Sequence, residues 1–249
     1  MPLPKISYPT FDVFVKSLNR NVKFRPFLVK EEKLLLIAKE SENFEDIFGM
    51  LKQIATNCCL EELDIDSLPS FDIEMIFVNL RINSIGERAE LSYTCNNVVE
   101  KVNEETAEKE TDQCGYVNVF GLDLKNIKYE VPENHSNVVQ LTDKVGVVMR
   151  YPNLTISKEI LKSADDGNDL DAISLYVDYV FDENQKYERS SFTTEELNQF
   201  LESLSLTQLQ KIRLFFETTP RVVLKQTIPC VKCGYNHNVE VEGVLNFFD

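Results

Sequence analysis

The sequence predicts an α+β fold in which helical hairpins flank a β-rich middle and a four-cysteine knuckle pair ties two distant stretches together. Three observations carry that expectation. Apolar residues recur at helical spacing after Asn43, Ser70 and Thr193; short alternating or apolar runs fill the interval between residues 126 and 151; and CVKCG at residues 230–234 sits between two strand-like segments.

The opening segment, through NVKFRPFL, reads as extended, with prolines at 2, 4, 9 and 26, and EEKLLLIAKES reads as a short helix or a buried strand. From Asn43 onward, Phe44, Ile47, Phe48, Leu51, Ile54, Ala55 and Cys58 fall at three- and four-residue steps, which predicts an amphipathic helix with Cys58 on its buried face. Ser70 is placed to cap a second helix whose stripe is Ile73, Ile76, Phe77 and Leu80 and which stops before Gly86; the two helices are expected to pack together. AELSYTC alternates as a strand does. The mostly acidic NNVVEKVNEETAEKETDQ has too little apolar surface for a core of its own, and QCGYVNVFGLDL returns to strand character.

IKYEV, VVQL and VGVVMRYP predict short strands, and SKEILKSA and LDAISLYVDYVF predict helices around a solvated ADDGND loop. In SSFTTEELNQFLESLSLTQLQKIRLFFETTP, Thr193 with Glu196 and Ser205 with Gln208 have capping-box spacing, so this stretch predicts an αα-hairpin closed by Pro220. RVVLKQTI and HNVEVEG predict the strands entering and leaving the cysteine pair.

A chain of 249 residues with 43% apolar content can bury a core without disulfide staples. Its 26 basic against 41 acidic residues give a formal net charge of -15, a surface that repels phosphate and anionic lipid, so nucleic acid is not an expected partner. No stretch approaches the ~20 apolar residues that span a bilayer, and MPLPKISYPTFDVF lacks a signal-like apolar run. An intracellular chain is expected, in a reducing compartment where its six cysteines serve as thiols or metal ligands.

One CxxC supplies two thiolates, whereas a structural zinc takes four ligands in a tetrahedron. Cys114-Gly115-Tyr116 repeats Cys233-Gly234-Tyr235, and Cys95 ends a strand as Cys230 does. Cys95 and Cys114 therefore read as the two sides of an expanded knuckle with the acidic segment looped out between them. Cys95, Cys114, Cys230 and Cys233 become the ligands of a structural zinc in a zinc-ribbon-like arrangement. A site in which His237 replaces one sulfur, and a turn without metal, are the alternatives. The glycine after each second cysteine supplies the positive φ that a curled knuckle needs. A redox pair fits less well, because such pairs sit at helix N-termini and this one lies between strands.

With knuckle substructure from 91–120 and 222–243, that long-range tie makes 1–249 a single intertwined domain. Cys58 and Cys59 diverge by about 100° on a helix and read as buried, inert thiols. His135, in PENHSN, reads as a solvated loop residue.

No P-loop, dinucleotide fingerprint, nucleophile elbow or HExxH motif occurs, and two histidines leave few chances for a Ser-His or Cys-His pair. The acidic pairs at 31–32, 165–166 and 195–196 sit at helix starts or in loops, where carboxylates suit the dipole and solvent. No catalytic residues and no enzymatic activity are expected. EVEG after the second knuckle and the acidic insert in the first leave no basic stripe, so protein binding fits better than nucleic-acid binding.

KFRPFLVKEEKLLLIAKES, FDIEMIFVNLRINSIGE, GVVMRYPNL and FFETTPRVVLKQTIPCVKCGYNHNVEVEGVLNFFD, in that order and with both cysteine pairs, resemble the baseplate protein family of T-even-like contractile-tailed bacteriophages over most of the chain. The resemblance implies a late protein of infection acting as a non-enzymatic, chaperone-like factor that promotes formation of the central baseplate hub. Retention as a structural subunit of the hub is the alternative. It implies hub proteins as partners, with self-association left open, and the cytoplasm of the infected host or the virion baseplate as its location. Such a factor would hold subunits in register or cover apolar surface until the next subunit displaces it. Val244, Leu245, Phe247 and Phe248, and the segment from Phe24 to Phe27, are the candidate contact surfaces, with packing onto the chain's own core as the competing reading.

Overall fold

Alternation sets the first element: Val13, Val15, Val22 and Phe24 point inward and their neighbours outward, so β1 (Phe11–Val15) and β2 (Arg20–Phe24) pair as an antiparallel hairpin. The computed structural model describes residues 6–41, 43–102, 109–157 and 169–242. Next, α1 (Val29–Glu40) resolves EEKLLLIAKES as a helix. Glu31 in its first turn is fully buried, not solvated: its carboxylate accepts from Leu28 N at 2.9 Å and pairs with Arg25 at 3.1 Å. Arg25 also donates to Asn57 O at 2.7 Å. Phe24 is fully buried and Phe27 packs against the same core, whereas Arg25, Pro26 and Phe27 stay partly exposed.

Helix α2 (Phe44–Cys58) and helix α3 (Ser70–Ser84) both turn their apolar stripes onto this hairpin. Leu51, Ile54, Ala55 and Cys58 from α2 meet Ile73, Ile76, Phe77 and Leu80 from α3 in one core with the β1–β2 valines. Ser70 is not the cap; Pro69 holds that position, and Ser70 N is satisfied by Pro152 O at 2.8 Å. The polar anchor of α3 is Asp72, a buried carboxylate that accepts from Lys16 N at 2.8 Å, Ser17 N at 3.0 Å and Tyr129 Oη at 2.8 Å. Three donors offset its desolvation. Cys58 ends α2 in the core, and burial pushes its thiol up to about 12. Cys59 departs from expectation: it leaves the helix, bridges to Phe24, is half-buried and donates to Glu61 O at 3.3 Å.

A second core lies on the other face of α3. There β3 (Arg88–Thr94) pairs with β6 (Val117–Asp123), and a three-stranded antiparallel sheet runs in the order β13 (Asn236–Glu242), β12 (Arg221–Pro229), β7 (Lys128–Glu130). Phe71 and Val78 pack against Leu122, Leu124, Val222, Leu224 and Val241. The acidic stretch between Cys95 and Cys114 is a ribbon and not a plain loop: β4 (Val98–Val102) pairs with β5 (Lys109–Gln113), held by main-chain bonds, with Val99 alone of its described residues packed on the cysteines.

The third core sits under the sheet β11 (Lys186–Glu188), β10 (Val177–Phe181), β9 (Gly146–Met149), β8 (Val138–Gln140). LDAISLYVDYVF is helical only at its start, as α4 (Asp169–Leu175). VDYVF is strand β10 instead, because β-branched and aromatic residues flanked on both sides by partner strands gain more as a central strand than as a helix. Most of SKEILKSA and ADDGND lies outside the described residues. Helices α5 (Thr194–Glu202) and α6 (Leu206–Glu217) carry both capping boxes, with Thr193 Oγ1 accepting from Glu196 N at 3.2 Å and Ser205 Oγ from Gln208 N at 3.3 Å. They deliver Leu197, Leu201, Ile212 and Phe215 to this core.

His135 is not a solvated loop residue. It lies half-buried against the Tyr151 and Phe215 rings, with Nδ1 3.0 Å from Thr218 Oγ1 and Nε2 2.9 Å from Tyr151 Oη, and burial lowers its pKa. Among the described residues no helix is long and apolar enough to cross a membrane. Val244, Leu245, Phe247 and Phe248 lie outside the described residues.

Candidate metal centre

Strands β12 and β13 stay paired down to Pro229 and Asn236, and the turn between them holds the CxxC. Cys230 N donates to Tyr235 O at 2.8 Å, Gly234 N donates back to Cys230 O at 2.8 Å, and Gly234 takes φ +73, a conformation in which any Cβ is strained. The same grammar closes the other turn. Cys95 N donates to Tyr116 O at 2.8 Å, Gly115 N to Cys95 O at 3.0 Å, and Gly115 takes φ +62. The ribbon β4–β5 leaves and re-enters between Cys95 and Cys114, where Cys114 N bonds Asn97 O at 2.8 Å.

The structure brings all four of these cysteines together. Their sulfurs lie within 4.8 Å of one another, with Cys95 to Cys233 at 3.6 Å and Cys114 to Cys230 at 3.8 Å, and all are free thiols. A disulfide would need ~2.05 Å. Sulfurs bound at ~2.3 Å to one tetrahedral ion stand about 3.8 Å apart, the spacing of both those pairs, and every other pair lies within 4.8 Å. Four soft donors, three of them buried, fit a divalent metal; the cation also offsets the mutual repulsion of four thiolates. Burial pushes the Cys95 thiol up, whereas at Cys230 burial is outweighed by the N–H groups of Cys233 and Lys232 and by Asn118, which hold it down.

Around the sulfurs, a shell of side chains ties one knuckle to the other. Buried Asn118 on β6 accepts from Val231 N at 2.9 Å, Lys232 Nζ donates to Cys114 O at 3.3 Å, and Asn97 Nδ2 lies 3.7 Å from Cys233 Sγ. His237, on β13, is buried with Nε2 3.1 Å from Cys95 Sγ, its ring between those of Tyr93 and Tyr235, each 4.7 Å away. It stands outside the group of four whose donor atoms are all mutually close. Sequence reading missed Asn118, although a signal existed: it is a polar residue at the inward position of a strand whose neighbours Val117 and Val119 face out. An ion held by all four sulfurs would have no open coordination position and would serve to cross-link the fold.

A family model described as T4 bacteriophage base plate protein matches residues 8–249. No curated protein and no solved structure matches the chain.

Proposed function

The chain belongs to the T4 bacteriophage base plate protein family, and on that premise we propose that it is a chaperone-like, non-enzymatic factor that promotes assembly of the central baseplate hub through contacts with hub proteins. The observation that carries the baseplate role is the family match over nearly the whole chain. Cys95, Cys114, Cys230 and Cys233 hold a structural zinc in this reading, and residues 1–249 form one intertwined domain, with β12 bonded to β7 and the two knuckles meeting across the sulfurs. Its place of work is the infected cell, where it holds hub subunits in register until the next subunit replaces it.

The deciding experiment is quantitative mass spectrometry of this chain, relative to the hub subunits, in infected-cell lysate and in purified particles. Abundance in lysate with absence from particles supports a transient assembly factor. Near-stoichiometric presence in particles makes it a structural subunit of the hub instead.

A further inference from the structure

We propose that His237 is an outer-sphere donor to the metal centre, its Nε2–H bonding the Cys95 thiolate so that the ion is held longer. The proposal rests on the four-thiolate reading and adds to it a residue that positions a ligand without being one. Four thiolates around a divalent ion carry a net charge of about -2 in a buried site, and each N–H aimed at a sulfur offsets part of it. Cys233 faces Asn97 Nδ2 at 3.7 Å. At Cys95 the side-chain nitrogen is His237 Nε2, at 3.1 Å, on a residue only 6% exposed.

Two features separate a donor from a ligand. The imidazole lies beside one sulfur, outside the set of four donor atoms that close on a common centre. Its ring packs against both Tyr93 and Tyr235, and its strand position opposite Ile228 is part of the β12–β13 ladder. A neutral imidazole with its proton on Nε2 donates to the thiolate and leaves the tetrahedron to sulfur.

The test uses the full chain. Zinc transfer to a colorimetric chelator is followed for the wild-type protein, His237→Phe, which keeps a ring between the two tyrosines and removes the N–H, and His237→Gln, which keeps a donor. Loss of an outer-sphere donor commonly costs 10–100-fold in metal retention, so His237→Phe is expected to release zinc roughly 10-fold faster or more, with His237→Gln in between. Release at the wild-type rate overturns the proposal. Independently of any variant, nitrogen-edited NMR of the 113Cd-loaded wild-type protein reads the tautomer. A proton retained on Nε2 supports the donor role, and direct Nε2–Cd coupling overturns it by making His237 a ligand. A wild-type protein that binds neither zinc nor cadmium would overturn the four-thiolate reading itself, and this proposal with it.

Discussion

The two knuckles close with the same hydrogen bonds although one spans two residues between its cysteines and the other an entire β-ribbon. Cys230 N to Tyr235 O matches Cys95 N to Tyr116 O, and Gly234 N to Cys230 O matches Gly115 N to Cys95 O. Both glycines take positive φ. What the pair teaches is that a knuckle is defined at its stem and its exit. The first cysteine must end a paired strand and the residue after the second must curl left-handed, while the chain between can leave and return as long as its ends stay bonded. Asn97 O to Cys114 N does that work in the long knuckle.

If the knuckles are equivalent halves of one metal centre, removing either should cost the same. Cys95→Ser with Cys114→Ser, and Cys230→Ser with Cys233→Ser, are each expected to abolish zinc binding and lower the melting temperature by roughly 10 °C or more, matching the wild-type protein stripped by chelator. Unequal losses would break the comparison, and unchanged thermal unfolding in both would remove the centre as a tie. Next in size is Asn118→Ala, which leaves Val231 N without its side-chain acceptor and separates the halves without touching a sulfur. It should cost about 1–3 kcal/mol in urea unfolding, with metal stoichiometry retained.

Smaller effects sharpen the likeness. At Gly234 an added Cβ meets nothing within 4 Å and at Gly115 only Gln113 O at 3.9 Å, so alanine at either position pays for its left-handed backbone alone. The two substitutions should each cost about 1–2 kcal/mol and agree within error; a large difference would show that only one turn is strained by the metal geometry. The smallest change is expected from the longest edit. Glu100 and Thr111 are register partners, so excising 101–110 and joining them through Asn-Gly shortens the ribbon without disturbing Val99 or the cysteines. Stability should move by less than ~1 kcal/mol and zinc content should not change, as read by denaturant unfolding and metal analysis.

Several elements were legible because their signals are local. The stripe from Ile47 to Cys58, the stripe from Ile73 to Leu80, and the capping residues Thr193 and Ser205 are periodic or stereochemical patterns that need no distant partner to be recognised. Where a distant partner decides, sequence reading failed. VDYVF continues a helical pattern until β9 and β11 claim it as a central strand. Glu31 looks like an exposed helix-start carboxylate until Arg25 and Leu28 N draw it into the core. His135 reads as a loop histidine until Tyr151, Phe215 and Thr218 close around it. Asp72, which sequence reading did not single out, fastens the β1–β2 turn and Tyr129 to α3.

The repeated Cys-Gly-Tyr by itself determined that two turns of one kind exist, because the need for positive φ after the second cysteine is a property of the backbone at that residue. The need for four ligands let the sequence pair the two turns, and the structure does bring their sulfurs together, but tertiary structure alone decided that His237 stands behind Cys95 and that Asn118 bridges the pair. Those relations are set by how β3–β6 and β12–β13 pack on the far side of α3, where apolar burial is non-directional and the sum of many contacts fixes a distance that no short stretch encodes.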